Sequence, residues 1–180
     1  MLKKFKTFLQ CLPFRQEETY PMQIQKIGEN DYLIRKMARE DVKELIDVQR
    51  MVYDGKIPWT RSAFLSELLS ALPHLYLCVE HSERLVGFIG CRLSDGDGHI
   101  TNIAILPAYQ GKGLGTFLLK EIEAYAIKNQ CTSLSLEVRL GNREAQRLYR
   151  KVGFVSRAVK NGYYDETNED ALDMVKYINE

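Results

Sequence analysis

From Tyr32 onward the spacing of apolar residues changes period repeatedly, and each change marks an element. Tyr32 to Lys36 predicts a short strand, after which Val42, Leu45, Ile46, Val52 and Tyr53 follow helical spacing from Glu40. Pro58 and Trp59 interrupt that pattern. Thr60 then caps a second predicted helix, whose face of Phe64, Leu65, Leu68, Leu69 and Leu72 runs to a stop at Pro73. Strands follow at Leu75 to Val79, Leu85 to Leu93 and His99 to Leu106, the last two joined as a hairpin through Asp95-Gly96-Asp97-Gly98. Gly115 to Asn129 predicts a helix through Phe117, Leu118, Ile122, Tyr125 and Ala126, and Ser133 to Val138 a strand. A helix over Arg143 to Val152 has Asn142 as its cap and Gly153 as its terminator. Strands at Phe154 to Val159 and Ala171 to Ile178 close the chain. This order implies one mixed α/β domain without internal repeats.

Composition limits the function classes. The 180 residues are 45% hydrophobic with a net charge of +1, values that suit a single packed domain and disfavour disorder. They give no support to whole-chain attraction for nucleic acid, and no specific DNA binding is expected. No apolar run is long enough for a membrane span. Cys11, Cys78, Cys91 and Cys131 lie far apart without a C-x-x-C pair, so buried free thiols in a cytoplasmic protein are expected, with no disulfide framework and no metal site. The Asp-Gly repeat reads as a turn rather than a calcium loop, for lack of further acids at the right spacing.

Charge is uneven along the chain. Met1 to Arg15 is basic, and Phe5, Phe8, Leu9 and Leu12 recur at i, i+3, i+4 and i+7, so residues 1–33 read as an extension containing a short basic amphipathic helix. A frayed or partner-packed arm is one reading of it, and contact with a membrane surface or RNA is the other. The segment from Asp165 to Glu180 is predominantly acidic.

The densest chemical signal runs from Thr101 to Thr116, where an apolar strand enters a glycine-rich turn that opens a helix. Gly111, Gly113 and Gly115 at alternate positions remove Cβ atoms that would hold a ligand off the backbone. Exposed N–H groups and the helix dipole then favour a phosphate, and Lys112 adds positive charge. Neither G-x-x-x-x-G-K-[ST] nor G-x-G-x-x-G is present, since Thr116 stands where the latter needs glycine. On these residues alone, anion binding and plain steric demand both remain open.

Gln110-Gly111-Lys112-Gly113-Leu114-Gly115 matches the Q/R-x-x-G-x-G/A signature of the GCN5-related N-acetyltransferase (GNAT) superfamily, and from about Ile34 to Ile178 the chain resembles that superfamily in element order. Leu136 to Arg139, Asn142, Ala145, Leu148-Tyr149, Gly153-Phe154, Tyr163-Tyr164 and Glu169 to Ala171 resemble its ribosomal-protein-alanine N-acetyltransferase group, and Pro58-Trp59 fits that group's substrate loop. The resemblance implies a GNAT fold over residues 34–180, with a mostly antiparallel central sheet flanked by helices and acetyl-CoA bound at a splayed pair of strands. It implies that Ile103, Ala104 and Ile105 offer a strand edge to the pantetheine amides, that Gln110 to Thr116 bind the pyrophosphate, and that Asn142 meets the pantetheine arm. The acceptor it implies is a protein N-terminus, the N-terminal alanine of a small-subunit ribosomal protein, served by a monomer or weak dimer. A small-molecule amine or lysine acceptor, and a CoA-binding or ribosome-associated module without turnover, are the alternatives. Lys160-Asn161-Gly162 departs from the twin-basic sequence common before the tyrosine pair.

Acetyl transfer to an amine needs a base for the amine proton and an acid for the departing thiolate. No nucleophile elbow or Cys-His pairing is visible, which favours direct attack in a ternary complex. An α-amine with a pKa of ~8 is easier to deprotonate than a lysine at ~10.4, by about 3 kcal/mol. Glu137 is the candidate base, since it falls with Ser133, Ser135 and Arg139 on the strand face opposite Leu134, Leu136 and Val138; partial burial is expected to raise its pKa. Tyr149, on the helix face of Ala145 and Val152, is the candidate acid. Arg143, Arg147, Arg150 and Lys151 form a basic face that is either solvated or aimed at an acidic peptide or ribosomal RNA.

Overall fold

The computed structural model describes residues 20–164 and 167–178. A single eight-stranded sheet runs through the described residues. Its strands are β1 (Gln23–Ile27), β2 (Asn30–Lys36), β3 (His74–His81), β4 (Arg84–Ser94), β5 (Asp97–Ile105), β6 (Ser133–Arg139), β7 (Val155–Tyr164) and β8 (Glu169–Tyr177), in the spatial order β1-β2-β3-β4-β5-β6-β8-β7. Every neighbouring pair is antiparallel except β5 and β6. The helices are α1 (Val42–Val52), α2 (Arg61–Leu68), α3 (Leu114–Lys128) and α4 (Arg143–Lys151).

Two apolar clusters cover the two sheet faces. On one, Leu118, Leu119, Ile122 and Ala126 of α3 pack with Ile34, Leu77, Ile89, Leu134 and Met174 from the strands. On the other, Leu45 and Val48 of α1 and Phe64 of α2 pack on Cys78, Leu85, Phe88 and Ala104. Burial of both faces explains why β3 and β4 read as continuous apolar runs rather than alternating ones. Cys78, Cys91 and Cys131 are free and buried, while Cys11 lies outside the described residues.

The predicted elements are present, with differences at their ends. The sheet begins at Gln23, so the boundary drawn between residues 33 and 34 falls inside β2 and must move towards the N-terminus. In β1 the inward-facing positions include Gln23 and Gln25 while Ile24 is exposed, which inverts the usual alternation and hides the strand. Helix α2 stops at Leu68 rather than continuing to Leu72, because the Ser70 hydroxyl takes up the Leu72 N–H at 3.2 Å and a tight turn replaces the next helical turn. Leu69 and Leu72 are therefore exposed. The final hairpin is longer than expected, reaching Tyr164 on β7 and Glu169 on β8. The predicted helix within Met1 to Arg15 lies outside the described residues.

The parallel pair sets up the site. β5 and β6 share a register only at Asp97↔Ser133, Gly98↔Leu134 and His99↔Ser135. Beyond His99 and Ser135 the strands part, leaving Thr101 to Ile105 on one side of a wedge and Leu136 to Arg139 on the other.

Candidate active site

The wedge opens into a cleft of about 860 Å³, bounded by Ile103 to Ile105 of β5, the turn from Gln110 to Thr116, Leu136 to Arg139 of β6, and one face of α4. A smaller recess of about 250 Å³ adjoins it, lined by Trp59, Glu67, Arg92, His99, Tyr163 and Tyr164 among others. Glu137 borders both.

The alternation of β5 decides which of its groups reach the cleft. The Leu106 N–H pairs with Val86 of β4, and Ala104, opposite Phe88, shares that direction. Ile103 and Ile105 therefore turn their backbone groups towards the cleft. The Tyr53 hydroxyl donates to the Ile103 carbonyl at 3.3 Å, and Gln110 Nε2 donates to the Ile105 carbonyl at 2.8 Å. Ala104, expected as part of the ligand edge, instead gives its backbone to β4 and its side chain to the core.

The glycine turn has the geometry a bound anion needs. Gly113 takes φ +98° at the start of α3, and no side chain caps the helix. Gly111 takes φ +71° with open space around its Cβ position. A Cβ on Gly115 would stand 2.8 Å from Leu148 Cδ2, so this glycine lets α3 approach α4. Leu114 packs in the core and can offer the cleft only its N–H. Thr116 lines the cleft, and Lys112 Nζ lies 5.3 Å from the centre of the Tyr109 ring. Asn142 Oδ1 accepts from the Ala145 N–H at 3.1 Å, capping α4 while bordering the cleft. Arg147 and Lys151, half of the predicted basic face, also line it.

Glu137 lies on the polar face of β6, its side chain 11% exposed. Lys160 Nζ donates to its Oε1 at 2.5 Å, and His99 Nε2 stands 3.3 Å from Oε2. The hydrogen bond to Glu137 raises the Lys160 pKa above the ordinary lysine range. Asp173, paired with Arg157 at 3.0 Å, is 3.6 Å from Lys160 Nζ.

Tyr149 is buried to 6% exposure on the inner face of α4, with its ring 6.0 Å from that of Phe154. Burial pushes its pKa up, with Tyr53 and Tyr164 adding to the shift. Burial likewise pushes Tyr164 up to about 12, against the pull of Arg139, which stacks 4.1 Å from its ring centre. Both phenols are thus protonated at neutral pH. Asn102 keeps both carboxamide atoms buried without a hydrogen-bond partner among the described residues, and it borders the cleft.

Residues 39–154 match the profile of the Acetyltransferase (GNAT) family. The chain belongs to that family. Among GNAT relatives, a Bacillus subtilis protein provisionally named ribosomal protein bS18-alanine N-acetyltransferase is 36% identical over 147 residues, covering 82% of this chain and 96% of the relative. The N-alpha-acetyltransferase RimI of Mycobacterium tuberculosis is 32% identical, covering 77% and 87% respectively. The crystal structure of the ribosomal-protein-S18-alanine N-acetyltransferase from Escherichia coli superposes with a TM-score of 0.72, at 24% identity and over 83% of this chain and 95% of that one; it shares the GNAT fold. The protein is accordingly an acyltransferase.

Sequence reasoning missed His99, Lys160, Tyr53 and Asn102 as neighbours of this site. Lys160 reaches Glu137 only because β8 inserts between β6 and β7, with Glu137↔Asp173 and Lys160↔Ala171 in register. No local pattern announces such a pairing.

Proposed function

We propose that this GNAT enzyme transfers the acetyl group of acetyl-CoA to the α-amine of a protein N-terminus, the N-terminal alanine of a small-subunit ribosomal protein, by direct attack in a ternary complex. The observation that carries this reading is the position of Glu137 on the border of two recesses, one with an anion-ready turn and one walled by aromatic side chains. A base at such a border serves a donor on one side and an acceptor on the other without a covalent enzyme intermediate. The names of the relatives supply the acceptor class.

The donor side fits a CoA thioester. Uncapped N–H groups from Leu114 to Thr116 hold the pyrophosphate, with Gly111 and Gly113 admitting it close to the backbone. Lys112, Arg147 and Lys151 add positive charge around the phosphates. The backbone groups of Ile103 and Ile105 pair with the pantetheine amides as an added strand would, and Asn142 lies beside that arm. Acetyl-CoA brings an activated acyl carbon and a thiolate leaving group; no metal enters the scheme.

Glu137 takes the proton of the acceptor ammonium. Tyr149, held protonated by burial, gives its proton to the departing sulfur and regains one from the second proton that the nitrogen loses as the amide forms. Trp59, Tyr163 and Tyr164 close around the acceptor and exclude water. An acceptor carried by the ribosome places the reaction in the cytoplasm.

The test is incubation with acetyl-CoA and peptides beginning Ala, Ser or Met, each also supplied with a blocked α-amine and a free lysine. Acetylation confined to free α-amines, fastest for Ala, is the expected result. Transfer to the blocked peptides would assign a lysine acceptor, and no transfer to any acceptor would leave a binding module.

A further inference from the structure

Where β5 and β6 last pair, hydrogen bonds join Asp97, Ser133, Ser135 and His99, and His99 in turn stands in ion-pair contact with Glu137. Asp97 accepts from the Ser133 hydroxyl through Oδ1 and from the Ser135 hydroxyl through Oδ2, both at 2.5 Å. Ser135 Oγ is 2.9 Å from His99 Nδ1, and His99 Nε2 is 3.3 Å from Glu137 Oε2. The geometry follows from register: Asp97↔Ser133 and His99↔Ser135 are paired positions, and Glu137 is the next residue on the Ser133–Ser135 face.

The donor inventory fixes the histidine. An ionised Asp97 only accepts, so the Ser135 proton is spent on it. The Ser135 oxygen must then accept from His99, which puts a proton on Nδ1. Nε2 is left as the ring atom that can exchange a proton with Glu137. We infer that His99, oriented by Ser135 and Asp97, is the positioning residue and proton outlet of Glu137. The inference rests on Glu137 being the base. The proton taken from the acceptor ammonium passes from the Glu137 carboxyl to His99 Nε2, giving a carboxylate and an imidazolium. The imidazolium releases it to water in the recess, where its side chain is 30% exposed. Glu137 is thereby returned to its anionic form for the next turnover.

The surroundings suit a transient imidazolium. Glu67 of α2, its side chain 15% exposed, pairs with Arg92 of β4 at 2.6 Å. Tyr163 and Lys160 approach from β7 and Asp173 from β8, with Lys160 joined to Glu137. Glu67 pairs with Arg92 and Glu137 with Lys160, so both cations of this surround are offset, and Asp97 supplies a further negative charge behind Ser135.

The experiment compares kcat, and KM for acetyl-CoA and for an N-terminal peptide, across pH in the wild type, His99→Gln, Ser135→Ala and Glu137→Gln, with thermal melting of each. His99→Gln keeps a donor near Glu137 but carries no proton onward; kcat is expected to fall about tenfold, both KM values to hold, and the acidic limb of the kcat profile to move. Ser135→Ala releases the Nδ1 constraint and is expected to shift the same limb with a smaller loss; it carries the test if His99→Gln does not fold. An unshifted limb in both variants, a uniform loss at every pH, or a loss confined to KM would overturn the inference. Full activity in Glu137→Gln would instead overturn the assignment of the base itself.

Discussion

Gln49 grips Trp59 by both ends of its carboxamide: Nε2 donates to the Trp59 carbonyl at 2.9 Å, and the Trp59 N–H donates to Oε1 at 2.8 Å. Gln49 is 2% exposed on α1, so a buried amide ties the loop that carries Trp59 to the helix that packs on the sheet. Replacement by leucine leaves two backbone groups of Trp59 without partners, at a cost of about 1–3 kcal/mol. Gln49→Leu is expected to lower the melting temperature and raise the KM for the acceptor peptide, with the KM for acetyl-CoA unchanged. Equal changes in both KM values would show that the loop does not serve the acceptor side.

Removing the base tests the centre of the scheme. Glu137→Gln retains size and much of the hydrogen bonding but cannot take a proton. General-base catalysis is commonly worth about 100-fold or more, and a loss of that order in kcat is expected at neutral pH. Binding of acetyl-CoA, followed by calorimetry, is expected to stay within a factor of about two to three of wild type.

Tyr149 couples catalysis and stability. In single-turnover experiments Tyr149→Phe is expected to slow acetyl transfer by about tenfold or more, because the thiolate then leaves unprotonated. Burial also raises the folded-state pKa of Tyr149, Tyr53 and Tyr76 above the unfolded value near 10. Above that pH the unfolded chain binds fewer protons than the folded one, so stability falls as pH rises. Below it the contribution is complete. The decline is about 1.4 kcal/mol per pH unit for each such tyrosine, until the pH passes its folded pKa. Urea midpoints measured upward from pH 8 should fall beyond pH 10, and less steeply in Tyr149→Phe.

Two glycines are expected to respond differently to alanine. Gly113→Ala forces a side chain into the left-handed region at φ +98°, costing about 1–2 kcal/mol, and brings a Cβ to 3.3 Å from Ile27 Cγ2 at the start of α3. Its expected result is a raised KM for acetyl-CoA with a modest loss of stability. Gly90→Ala puts a Cβ 2.0 Å from the Tyr76 ring and 2.6 Å from Asn102 Oδ1. That overlap lies inside the β4–β5 core, and a loss of about 1–3 kcal/mol or more is expected in chemical denaturation.

Much of the fold was legible because it is written in local periodicity. The caps Thr60 and Asn142 make the hydrogen bonds expected of them, to the N–H groups of Ala63 and Ala145. The face opposite Leu134, Leu136 and Val138 is indeed the one that carries Glu137. β1 was missed because its inward residues are polar, and the end of α2 because a single serine hydroxyl outcompetes a helical bond. In the site, the glycine turn and the positions of Glu137 and Tyr149 could be named from spacing and resemblance, since each depends on its own strand or helix.

The sequence by itself determined the element order from β2 onward, the glycine-rich turn and the parity that aims Glu137 into a polar space. Only the tertiary structure decided which charges meet there. Lys160 comes from β7 across an inserted β8, and His99 from a parallel neighbour whose pairing ends at that residue. Periodicity reports the face a residue takes on its own element. Register between strands distant in sequence decides what stands opposite, and that register is fixed by the packing of the whole sheet.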